Sequence, residues 1–192
     1  MSKTMWKAGT MLYPIPPALI SCGDMEKPNV LTIAWTGIIN SDPAMTYISV
    51  RPSRFSHKII TNTKEFVINL PNESLLRAVD YCGVKSGEKF DKFKDMQLTP
   101  EKSNIINTPM IAESPLSLEC RVKDIITLGS HDMFLSEIVA VNVDESLIDK
   151  KGVFHIEKSK LVAFCHGQYF ALGRRLGKLG FSVKKKKKNN KK

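Results

Sequence analysis

The strongest constraint on the fold is a series of short runs rich in β-branched and aromatic residues, broken by turn-forming residues. The runs at 18–22, 30–36, 44–50 and 65–70 are five to seven residues long. Two longer runs, 117–126 and 133–143, flank a tight turn of sequence Leu-Gly-Ser-His-Asp ending at Asp132. A last run covers 161–165. Such runs read as strands, and the tight turn joins the two long ones as a hairpin. The segment 30–36 reads as a single strand ended by Gly37, and Asn40-Ser-Asp-Pro43 as a loop.

Two short helices interrupt the strands. One starts near Ser53, which follows Pro52 and suits an N-cap, and it carries Phe55, Ile59 and Ile60 on one side. The other spans 73–81, with Leu75, Leu76 and Val79 at helical spacing. Residues 82–115 are polar, with Gly83, Gly87, Pro100 and Pro109, and read as an irregular excursion. Many strands, few helices and one long excursion predict a mostly β protein, a closed barrel with Greek-key topology. At 192 residues the chain has room for one sizeable core. Residues 1–183 are expected to form a single domain.

Charge narrows the partners. The formal net charge is +10, but residues 184–192 hold seven lysines, without which it falls to +3. The tail reads as a disordered, self-repelling polylysine segment. The body is only mildly basic and lacks aromatics interleaved with Lys and Arg, so nucleic-acid binding is not expected. No apolar run approaches the ~20 residues of a membrane span. The basic N-terminus has no apolar stretch behind it, so no secretory signal is expected and the cytoplasm is the expected location. Cysteines 22, 82, 120 and 165 are too scattered for a metal motif and are expected to be reduced thiols. No dinucleotide fingerprint, P-loop, nucleophile elbow or zinc-helix motif is present, and the four histidines suggest no triad.

Two stretches stand out. Residues 49–60 follow a strand and gather Ser49, Arg51, Ser53, Arg54, Ser56, His57 and Lys58 around Pro52. A strand end, a forked guanidinium and a helix N-terminus together suit one phosphate, although a capped helix with solvated basic residues explains the same composition. Upstream, Trp35 lies among Asn29, Thr32 and Thr36 on a strand ending in glycine. Trp35 is either a core residue or the wall of a site for a planar polar ligand.

In order along the chain, Asn-x-x-Thr-x-Ala-Trp-Thr-Gly from Asn29, the stretch Ile48 to Ser56, Phe66 to Leu70, Ser86 to Phe93, Gly129-Ser-His131 with Phe134 and Glu137, and Tyr169 to Gly173 resemble the flavin reductase-like family of FMN-binding split barrels, in particular its flavoredoxin type. The resemblance covers about residues 10–180. It implies a split β-barrel that forms a homodimer and binds FMN near the subunit interface. Residue by residue, it implies that Asn29, Thr32, Ala34, Trp35 and Thr36 wall the flavin, and that Ser49, Arg51, Ser53 and Ser56 hold the ribityl chain and phosphate. Lys92 and His131 are expected at the polar edge of the isoalloxazine, and Phe164 and Tyr169 as a closure, supplied by the partner subunit. The implied activity is electron transfer from NAD(P)H to flavin with no dedicated catalytic acid or base. The alternative is a carrier with tightly held FMN that takes electrons from a redox protein partner.

Overall fold

Eleven strands and three α-helices form among residues 1–183, the part described by this computed structural model. The expected polylysine tail at 184–192 lies outside the described residues. The strands are β1 (Ala18–Cys22), β2 (Asn29–Ile33), β3 (Thr36–Ser41), β4 (Ala44–Val50), β5 (Glu65–Leu70), β6 (Pro100–Glu101), β7 (Met110–Ile111), β8 (Leu116–Thr127), β9 (Asp132–Val143), β10 (Val162–Cys165) and β11 (Gln168–Ala171). The helices are α1 (Phe55–Thr63), α2 (Leu76–Val84) and α3 (Lys92–Asp95).

Seven strands form one antiparallel sheet in the order β2-β1-β5-β8-β9-β4-β3. The sheet closes on itself because β2 runs directly, through Ala34 and Trp35, into β3 at its far edge. Ser49 of β4 then donates its backbone N–H to Trp35 O at 3.0 Å, joining the two ends. The chain leaves β4 on one side of the barrel and returns as β5 beside β1, a long crossover of the Greek-key kind.

Alternation along the strands sorts the core. Ala18, Ile20 and Cys22 point into the barrel with Ile48, Phe66, Cys120 and Phe134. Leu19 and Val30 point outward and are covered by Leu75, Ala78, Val79 and Phe93 from the helical segments. Both faces of β1 are therefore covered, which is why all five of its residues are buried, with the polar Ser21 satisfied by donating to Pro109 O.

The structure corrects three sequence expectations. The run 30–36 is two strands with a break at Ala34–Trp35. The N-cap of α1 is Arg54, not Ser53, and no side chain caps it. The second helix is a 3-10 turn, Glu73–Leu75, capped by the Asn72 side chain and continued by α2 to Val84. The excursion at 82–115 also holds α3 and the small β6–β7 ladder.

Candidate functional site

Where β2 breaks, its side chains no longer alternate between two covered faces. Trp35 is left 39 % exposed, with its ring 4.5 Å from the His131 ring at an interplanar angle of 43°. These two rings, with Thr32, Ala34, Ser49 and Arg51, line an inner groove of about 150 Å³. His131 comes from the turn before β9 and lies 2.9 Å from Ser130 Oγ through Nδ1. Burial, then the positive charges of Arg51 and Arg54, hold its pKa below the ordinary histidine value.

A middle groove of about 210 Å³ shares Leu31, Arg51 and Arg54 with the inner one. Ser53, Ser56, Lys85 and Lys92 line it, and among the described residues no carboxylate does. Helix α1 opens here with no acidic residue in its first turn and no side-chain cap. Its first amides have no partner within the helix, so this end favours an anion. His57 Nε2 lies 2.7 Å from Asp132 Oδ2 and ties the first turn of α1 to β9.

Lys92 belongs to this groove. It is 4 % exposed, and its ammonium donates to Cys82 O and Lys85 O, both at 3.4 Å. Desolvation lowers its pKa, and Arg54 adds to the effect. Burial raises the neighbouring Cys82 thiol to about 11, a value at which it stays protonated at neutral pH.

The expected site residues sort as follows. Thr32, Ala34, Trp35, Ser49 and His131 meet in the inner groove, Ser53, Ser56 and Lys92 in the middle one, and Arg51 in both. Asn29 stands behind Ser56 and donates to its Oγ at 2.7 Å. Thr32 and Thr36 spend their hydroxyls on Val79 O and Tyr47 O. Thr36 faces an apolar cavity of about 510 Å³ on the other side of Trp35, lined also by Met11 and Leu12. Lys92 lines the middle groove with the serines and does not line the groove that holds His131. Phe164 and Tyr169 pair at 5.3 Å on the β10–β11 hairpin and line neither groove.

Two basic side chains escaped the sequence reading of the site. Arg54 lines both grooves and was signalled only by its place in the serine-arginine stretch. Lys85 lies in the excursion, where no local pattern marks it.

The donor set fits a flavin mononucleotide. An aromatic wall flanks a narrow slot, and a cationic seat at a helix N-terminus lies one step along the same path. Residues 10–173 match the family model for the flavin reductase like domain. The fold superposes on flavoredoxin of Desulfovibrio vulgaris (Miyazaki F) with a TM-score of 0.88, at 33% identity over 95% of this chain and all of that one. Flavoredoxin from Methanosarcina acetivorans gives 0.84 at 27% identity, over 96% of this chain and all of that one. An uncharacterised protein of Archaeoglobus fulgidus is 35% identical over 140 residues, 73% of this chain and 78% of its own.

Proposed function

The chain belongs to the flavin reductase-like family, and from that membership we propose that it is an FMN-binding oxidoreductase that passes electrons from NAD(P)H to flavin. The observation that carries this reading is that the groove of the Trp35–His131 pair shares Leu31, Arg51 and Arg54 with the cationic groove at the start of α1. Trp35 and Ala34 would wall the ring system. Arg51, Arg54, Ser53, Ser56 and Lys92 would hold the phosphate, with Asn29 orienting Ser56. Bound FMN would supply the hydride-accepting chemistry, and the protein's part is position and electrostatics. No side chain is needed as acid or base. Phe164 and Tyr169 would reach the site from the partner subunit of a homodimer.

A second reading, an electron carrier that receives electrons from a redox protein partner, is favoured by the likeness to the two flavoredoxins. One experiment serves both. Purified protein should quench FMN fluorescence stoichiometrically, and absence of binding at micromolar FMN would refute the flavin reading. Stopped-flow mixing of the FMN-loaded protein with NADH and NADPH then decides between them. Reduction within seconds identifies the reductase, and no reduction identifies the carrier.

A further inference from the structure

The two grooves are built on different elements. His131 of the inner groove stands on the turn before β9, and Ser53 and Ser56 of the middle groove stand at the start of α1. The next residues along the chain, His57 after Ser56 and Asp132 after His131, meet each other. His57 Nε2 lies 2.7 Å from Asp132 Oδ2. A carboxylate accepts, so the imidazole N–H donates. Among the described residues no other hydrogen bond joins α1 to β9 or to the turn before it.

The surroundings fix this contact from both sides. The His57 ring packs edge-on against the fully buried Phe134, with centroids 5.1 Å apart. The Asp132 backbone is paired with Val50 of β4 and Thr127 of β8. The two side chains are only 15% and 12% exposed. Taking a carboxylate out of water is costly unless both of its oxygens are satisfied. Asp132 Oδ1 is buried and has no partner among the described residues. The contact is therefore a poor source of stability, and what it positions explains its place better.

We propose that His57 and Asp132 are positioning residues, which hold the Trp35–His131 ring wall and the phosphate seat at the spacing that one FMN molecule requires; this role rests on the flavin reading above. Neither residue lines either groove, so each acts through its neighbour, Ser56 or His131. A ligand that reaches both seats gains from their fixed spacing, as a linked pair of binding modules does. A ligand that fills one seat gains nothing from it.

The test compares FMN, which reaches both seats, with riboflavin, which lacks the phosphate, and with inorganic phosphate. Fluorescence titration follows the flavins, and chemical-shift titration follows phosphate at millimolar concentration. His57→Phe deletes the donor and keeps a ring against Phe134. Asp132→Ala breaks the same link from the other side and serves if His57→Phe does not fold. Either variant should weaken FMN by about tenfold or more, a part of the gain that linking two sites gives, and leave riboflavin and phosphate within about twofold. His57→Gln, which places an amide Nε2 donor where the imidazole had one, should restore most of the FMN affinity. Unchanged FMN affinity in the variants overturns the positioning role and leaves the flavin reading standing. A loss for riboflavin or phosphate as large as that for FMN also overturns it, because a seat itself has then been damaged. Failure of the unaltered protein to bind FMN removes the flavin reading and the positioning role together.

Discussion

Trp35 owes its role to a break in the backbone pattern. A tryptophan in mid-strand would face either the core or a neighbouring layer. At the junction of β2 and β3 its carbonyl still bonds to Ser49, but its ring turns out toward His131. In sequence, Trp35 taken alone reads first as a core residue and only second as a ligand wall, because periodicity does not reveal where a strand changes partners. The 49–56 stretch was partly legible, since Arg51, Ser53 and Ser56 suit a phosphate by their chemistry, although a capped helix with solvated basic residues explains the same composition. Lys92 was half legible: its motif marked it, but its place depends on how α3 folds back onto Cys82 and Lys85. Two substitutions test these residues. Arg51 is exposed and forked, so Arg51→Met should weaken FMN by about tenfold or more, the worth of one charge-assisted hydrogen bond, with the thermal midpoint unchanged. Lys92→Met should weaken FMN but leave riboflavin, which lacks the phosphate, at its wild-type affinity. Equal losses for both ligands would place Lys92 at the ring instead. Fluorescence titration reads both outcomes.

At the scale of elements, the excursion between α2 and β8 is held by buried polar groups. Asn69 of β5 accepts from Ile111 N and Ser117 Oγ through Oδ1, and donates to Leu19 O and Ser21 Oγ through Nδ2. Glu119 of β8 is fully buried and accepts from the amides of Asn104, Ile105 and Ile106 and from Asn142 Nδ2, at 2.8–3.1 Å. Burial alone would raise its pKa, but these four donors together hold it below the ordinary glutamate value. A lowered folded pKa means that the stabilisation is present above the unfolded value and is lost as pH falls through the folded one. Unfolding midpoints should therefore drop on acidification from about pH 4.5 downward. Glu119→Gln should flatten that part of the profile. It should also destabilise by roughly 2–4 kcal/mol, because one side-chain amide then faces backbone donors. An unchanged acid limb in the variant would show that other groups govern it. None of this anchoring was legible, since Glu119 sits in a strand pattern that alternation alone assigns to no particular loop. Strands β3 and β11 escaped for a related reason. Thr36–Ser41 has Thr36, Ile38 and Ile39 as strand formers but is interrupted by Gly37 and ends in Asn40 and Ser41, and Gln168–Ala171 lies between glycines, so each takes its strand form from its partner, β4 or β10.

At the scale of the whole molecule, the closure at Trp35–Ser49 involves β4 and the β2–β3 junction, and among the described residues the outer side of β3 pairs with no strand. Strand β3 ends the sheet order, and Ile38 is 68 % exposed with Ile39 beside it at 48 %. The N-terminal segment ahead of β1 adds Trp6 and Leu12, at 89 % and 86 %. An edge strand bearing apolar side chains invites pairing with another copy. Both features lie near the apolar cavity behind Trp35, which Met11, Leu12 and Thr36 line. Dimerisation through this face would cover the exposed isoleucines and bring residues of one copy toward the flavin seat of the other. Light scattering should therefore give about twice the 21.6 kDa chain mass at micromolar concentration. Ile39→Lys, a charge on an open edge, should shift the protein to monomer and weaken FMN binding together, because the seat would lose a wall supplied by the partner. Removal of residues 184–192 should change neither, since the cations that line the seat belong to the folded body. A wild-type monomer that binds FMN stoichiometrically would mean that one copy completes the site, and that the aromatic pair Phe164–Tyr169 has no part in closing it.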